Sequence, residues 1–166
     1  MKSGWLVLVM ATAVWAQGSR FVDKEDGFSI EPMQGWHEVE LERFGTSRLK
    51  YMITSDDVPE GAPHPVAMVS IEDSAGTRVV SQDYVRTMLA QSKQILLSYR
   101  MVHYGPDIVG GRFVATAMAE SGLSKQTGTV IVYHGRTIAI QATCPVDQWE
   151  RWAPAFDQFE DSFRVE

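Results

Sequence analysis

Cysteine is almost missing from this chain: Cys144 is the only one in 166 residues. An internal disulfide is excluded, and so is any cysteine-rich metal module. Basic charge is scarce as well. Fifteen Lys and Arg stand against 21 Asp and Glu, a formal net charge of -6. That balance excludes a general binder of phosphate backbones, so no nucleic-acid partner is expected. Clustered histidine is missing too. His37, His64, His103 and His134 are scattered, with no His-Glu-x-x-His and no other close ligand spacing. No Gly-x-Ser-x-Gly surrounds Ser98, Ser121 or Ser162, and the stretch from Gly105 to Gly111 has no Gly-Lys-Ser/Thr. No metal, cofactor or standard catalytic motif is therefore expected. Asp56-Asp57 and Glu72-Asp73 read as solvated turns and not as calcium ligands.

Long apolar runs are missing with one short exception. Trp5 to Trp15 is almost wholly apolar and spans 11 residues, where a bilayer needs about 20. Lys2 precedes it, and Val14-x-Ala16 has the small-residue spacing of a signal peptidase site. Residues 1–16 read as a secretory signal peptide cleaved before Gln17, which implies a periplasmic or secreted protein. An uncleaved membrane anchor is the alternative, and it is the only membrane association expected. No cysteine follows the run to carry a lipid. Removing residues 1–16 takes away one base and no acid, so 14 bases then face 21 acids in 150 residues. A chain of that length buries enough surface to fold without staples, and residues 17–166 read as a single domain.

What is present is ordinary globular material, 45% hydrophobic and 22% charged. Phe28-Ser29-Ile30 alternates after an Asp26-Gly27 turn and stops at Pro32. Trp36 to Leu41 alternates again, with Trp36 inward and Glu38 and Glu40 outward. Arg48–Thr54 and Val66–Ile71 are further strands. Ser81 to Ser98 changes to a helical period through Val85, Met88, Leu89, Ile95 and Leu96, giving an amphipathic helix of about 16 residues with Ser81 as N-cap. Arg100–Tyr104 is a short strand, Gly105-Pro106 a turn, and Gly110-Gly111 opens a strand over Arg112–Ala119. Gln126–Tyr133 and Arg136–Thr143 form a tight hairpin about His134-Gly135. Asp147 to Phe163 is a terminal helix. Asp147 and Glu150 have the spacing of a capping box. Trp149, Trp152, Phe156, Phe159 and Phe163 form one aromatic stripe, with Asp157, Glu160, Asp161 and Glu166 facing outward. Pro154 should kink or divide this helix near Ala153.

Two sequence words stand out at opposite ends: Phe28-Ser29-Ile30-x-Pro32-x-x-Gly35-Trp36 and Phe156-x-x-Phe159-x-x-Ser162-Phe163. With the order of elements, they resemble the PsbP-like fold over almost all of residues 21–165. That fold is shared by the photosystem II extrinsic subunit, DcrB-type bacterial periplasmic proteins and small Ran-binding nuclear import factors. The resemblance implies an α+β protein, an α/β/α sandwich around a central antiparallel sheet. It also implies adaptors, accessory subunits or chaperones, with no shared catalytic motif to carry over. The signal segment fits the bacterial branch.

The residues left over suit recognition. Asp56 to Pro65 holds three prolines and one glycine in ten residues and is the longest loop. Asp56, Asp57 and Glu60 make it acidic, and His64 sits between two of its prolines. This loop and the Gly105–Gly111 turn are expected to frame one edge of the sheet, with Tyr104, Tyr51 and Tyr99 as aromatic anchors. The expected function is a non-catalytic exported binding or accessory protein that works through contacts with an unidentified protein. A monomer or weak homo-oligomer is expected. The alternative is a small hydrolase or thiol enzyme built around Cys144 or a histidine. Cys144 ends an apolar strand beside the acids Asp147 and Glu150, which points to packing and not to a thiolate.

Overall fold

The computed structural model describes residues 19–46, 48–73, 80–119 and 122–166. The signal segment, its cleavage site and Ser121 lie outside the described residues. Among the described residues there are ten strands: β1 (Phe21–Asp23), β2 (Phe28–Ile30), β3 (His37–Glu38), β4 (Leu49–Thr54), β5 (Val66–Asp73), β6 (Gln94–His103), β7 (Val109–Ala119), β8 (Gly122–Tyr133), β9 (Arg136–Pro145) and β10 (Arg164–Val165). Two α-helices, α1 (Gln82–Gln91) and α2 (Trp149–Ser162), join them among the described residues, with short 3-10 turns at Leu41–Phe44 and Val146–Gln148. Seven strands make one antiparallel sheet in the order β3-β4-β5-β9-β8-β7-β6, and β1, β2 and β10 make a small second sheet.

Strand alternation decides which helix covers which face. Ile53, Ala67, Ala142 and Thr127 stand in one row across the sheet, and Tyr51, Val69, Ile140 and Thr129 in the next. These side chains point toward α2 and share a core with Trp152, Phe156, Phe159 and Phe163. Phe113, Ala115 and Val130 point the other way and pack with Val85 and Leu89 of α1. The two helices therefore lie on opposite faces, and the molecule is an α/β/α sandwich of the α+β class.

The two words from the ends of the sequence turn out to be one packing unit. Phe28 stacks on Phe163 at 5.7 Å, and Trp36 meets Phe156 edge-on at 6.0 Å. The Glu31 amide donates to Ser162 Oγ at 2.9 Å, and Arg164 pairs with Ser29 in the small sheet. Gly35 sits at φ +78° in the turn that brings Trp36 inward, a conformation L side chains rarely adopt.

Several expectations are corrected. The first helix ends at Gln91, not near Ser98, and the chain goes straight into β6. Lys93, at φ +56°, makes the reversal. Ile95 and Leu96 continue a helical period only on paper, because pairing with Thr116 and Ala115 sends them to opposite faces. The early strand at Trp36–Leu41 shrinks to His37–Glu38, since Leu41 to Phe44 closes into a 3-10 turn. Ser81 is the N-cap as expected, accepting from the Tyr84 amide at 3.1 Å. Asp147 caps nothing: it falls in the 3-10 turn, and Gln148 begins the helix without a side-chain cap. Pro154 does not divide α2. It lies on the exposed side, where the Glu150 carbonyl it leaves unpaired can face water. Gly110 and Gly111 lie within β7, and a Cβ on Gly111 would come within 2.6 Å of Tyr99 and 2.7 Å of Val80. Glu72 and Asp73 belong to a strand and not to a turn.

Candidate functional site

The loop after β4 is held from two sides. Asp57 forms an ion pair with Arg151 of α2, and the Asp57 amide donates to Ser55 Oγ at 3.2 Å. Thr54 Oγ1 donates to the Pro65 carbonyl at 2.8 Å and closes the loop base. Three prolines restrict the rest of the backbone. Asp56 stands between two histidines, 3.6 Å from His37 Nδ1 and 3.5 Å from His64 Nδ1. His64 Nδ1 is also 2.9 Å from the Ser55 carbonyl oxygen. All three of these side chains are at least half exposed, and Glu60 is exposed as well. Among the described residues no group of three or more His, Cys, Asp or Glu is arranged to hold a metal ion.

Below this rim lies a cavity of about 240 Å³ lined by Pro63, His64, Leu123, Thr143, Cys144 and Pro145 among others. His64 and Cys144, both singled out from sequence, thus share one wall. Cys144 is 2% exposed, and burial, with Asp147 adding to it, pushes its thiol up to about 11. It is a protonated thiol at neutral pH, the opposite of what nucleophilic attack needs. The N-terminal turn of α2 flanks the loop with aromatic faces. Arg151 lies 4.6 Å over the Trp152 ring, Lys125 lies 4.5 Å over Trp149, and Trp36 meets Trp152 edge-on at 5.3 Å.

The predicted frame does not close. Thr54, Val66, Thr143 and Gln126 share a row at the end of the sheet that carries the loop. The Gly105–Gly111 turn lies at the other end, beside Ile131 and Ile138. Asp56, Asp57, Glu60 and His64 come together, and Tyr104 does not join them. It packs edge-on against Phe163 at 5.8 Å. Tyr51 is 2% exposed and stacks on Phe21, and Tyr99 donates to the Val80 carbonyl at 3.2 Å. Strand alternation turns Tyr51 and Tyr99 toward helix-covered faces, and Tyr104, in the turn after β6, is partly buried against the α2-side core.

Sequence reasoning missed the buried charges. Glu160 was placed outward, yet its side chain is fully buried. It follows Phe156 by one full turn, so it stands at the margin of the aromatic stripe. Arg112 Nε donates to it at 2.9 Å and Thr129 Oγ1 at 2.7 Å, while Arg112 Nη1 reaches Asp161 at 2.8 Å. Burial pushes the Glu160 carboxyl up, and Arg112 offsets only part of that rise. A second polar cluster joins the small sheet to the large one: Asp26, 5% exposed, lies 2.6 Å from Lys50 Nζ and pairs with Arg136. The Asp26 carboxylate raises the Lys50 ammonium, against burial. Both clusters clamp elements together.

Comparison with solved structures agrees with the fold. The chain is similar to the cyanobacterial PsbP protein (CyanoP) of Synechocystis, with a TM-score of 0.66 at 14% identity, over 96% of this chain and 99% of that one. It is similar to LpqN of Mycobacterium tuberculosis, described as involved in cell envelope biogenesis, with a TM-score of 0.54 at 13% identity over 83% and 82% of the two chains. PA94 of Pseudomonas aeruginosa, of unknown function, matches with a TM-score of 0.54 at 12% identity over 84% and 91%. No protein-family model and no curated protein matches the sequence. The fold is PsbP-like.

Proposed function

We propose that this is an exported accessory protein that acts without catalysis, by holding another protein at the rim formed by Asp56, Asp57, Glu60 and His64. The observation that carries this reading is the loop itself. It is braced by prolines and by the Asp57–Arg151 pair, yet it presents its charged groups to solvent above a small cavity. A pre-ordered, exposed polar rim beside aromatic faces loses little entropy on binding. The cavity's thiol, pushed up to about 11, argues against the enzyme alternative. Tyr104 has no part in this rim.

Export rests on residues 1–16, read as a signal peptide cleaved before Gln17, and places the protein in the periplasm or outside the cell. The envelope role in the description of LpqN is compatible with that location. The protein is expected as a monomer or weak homo-oligomer, with its partner in the same compartment. Crosslinking in intact cells followed by capture tests the reading. Asp56→Ala, Glu60→Ala and His64→Ala combined should abolish capture of the partner while leaving the unfolding midpoint unchanged. Undiminished capture by this variant would overturn the rim as the contact surface.

A further inference from the structure

β6 closes one edge of the large sheet, and β7 is its only strand partner among the described residues. Ten residues long, it offers a row of outward N–H and C=O groups. Folded proteins usually blunt such an edge with proline, with charge, with bulges or by keeping it short. This one has a bulge between Leu96 and Ser98 and no proline. It also exposes Ile95, Leu97 and Met101 at 66%, 54% and 56%, and Met118 and Leu123 stand nearby at 76% and 45%. Ile95 pairs with Thr116 and Met118 with Leu123, so these three continue the face that α2 covers elsewhere, while Met101, opposite Gly111, stands on the α1 face.

The charge of the edge runs against that of the protein. Lys93 and Arg100 are exposed, and no acid lies between Lys93 and His103. The neighbouring ion pairs use Arg86 and Arg112 and leave Lys93 and Arg100 aside. Residues 92–146 hold five Lys and Arg against two Asp and Glu, while the rest of the chain holds ten against 19. An apolar, basic edge on an acidic protein selects its occupant.

We infer that β6 takes up an extended acidic and apolar segment of a partner protein as an added strand. Backbone groups would supply the pairing, the exposed apolar residues would meet alternate side chains, and Arg100 and Lys93 would meet carboxylates. A second copy of this chain fits less well. Its own β6 brings the same bases and no acid, and each copy carries a net charge of -6. The inference rests on the reading of the protein as a contact protein, but it uses a surface other than the Asp56–His64 rim.

Two synthetic peptides test it, acetyl-(Glu-Val)5-amide and its neutral counterpart acetyl-(Gln-Val)5-amide, titrated into isotopically labelled protein. Amide shifts should move along Lys93 to His103 with the Glu peptide. Affinity should fall about tenfold for the Gln peptide or for Arg100→Glu, the size of one lost charge contact. Leu97→Asp, with an unchanged unfolding midpoint, should weaken binding by a similar factor. Shifts confined to other residues, or equal affinity for both peptides, would overturn the inference. So would a dimer in sedimentation that Arg100→Glu abolishes, which would assign the edge to a second copy. Binding to phosphatidylglycerol vesicles that Arg100→Glu abolishes, without peptide binding, would assign it to a membrane. The rim variant separates the two readings. If it loses its cellular partner and still binds the Glu peptide, both stand. If the partner is captured but no peptide reaches β6, only the edge falls.

Discussion

α2 and α1 cover the same sheet on opposite faces and do so unequally. α2 has 14 residues and buries Trp152, Phe156, Phe159 and the carboxylate of Glu160. It is tied at both ends, by Arg151 to Asp57 and by Asp161 to Arg112. α1 has ten residues and fully buries only Val85 and Leu89. The sheet beneath it ends in an edge with apolar groups in water. Large aromatic area gives α2 a deep core over β8, β9 and β2, but the β6–β7 end of the same face stays uncovered, with Ile95, Met118 and Leu123 in water. The short aliphatic α1 covers less on its own face, leaving Met101 in water, and β6, covered by neither helix at its edge, is where an outside strand finds room.

Breaking the α2 side should cost most. The double substitution Phe159→Ala with Phe163→Ala should lose about 3–5 kcal/mol per ring, measured by urea unfolding. A small loss would mean that the stripe is not the core of the fold. Next comes Glu160→Ala, which leaves the buried Arg112 short of its nearest carboxylate. A loss of about 3–5 kcal/mol is expected for such a broken pair. Leu89→Ala, on the α1 side, should fall nearer the lower end of about 2–5 kcal/mol. If it matched the aromatic pair, the two halves would be equal and the contrast would fail.

Cys144 sharpens the comparison on the α2 side without disturbing it. Its folded thiol is raised, so it stabilises the fold fully below the ordinary thiol pKa, and that contribution is lost as pH rises toward about 11. Alkylation by iodoacetamide at pH 7 should therefore be at least about 100-fold slower in the native protein than in urea, from thiolate fraction alone. Fast native labelling would reopen the thiol-enzyme reading. The smallest effect is expected at the surface: Asp57→Asn should cost no more than about 1 kcal/mol, because its pair with Arg151 is exposed to water and salt.

Much of the fold was legible because it rests on local periodicity. The aromatic stripe of α2, the Ser81 cap and the hairpin at His134-Gly135, whose φ angles are +48° and +74°, are decided by neighbours in the chain. The loop carrying Asp56, Asp57, Glu60 and His64 was legible from its prolines. His37 was not seen as part of that group, because it reaches Asp56 only through pairing of β3 with β4.

The sequence by itself determined the aromatic stripe of α2, the Ser81 cap, the His134-Gly135 hairpin and the proline-braced loop, since these follow residue spacing, while the sandwich class came through the resemblance. The tertiary structure alone decided where α1 stops, which loops share an end, and that Glu160 goes inside. Residues 92–98 satisfy either a helix or a strand, and β7 settles the matter by supplying hydrogen-bond partners. A carboxylate beside an apolar stripe goes to water unless a cation meets it inside. Arg112, 48 residues away in sequence, is that cation, and only the folded sheet brings it there.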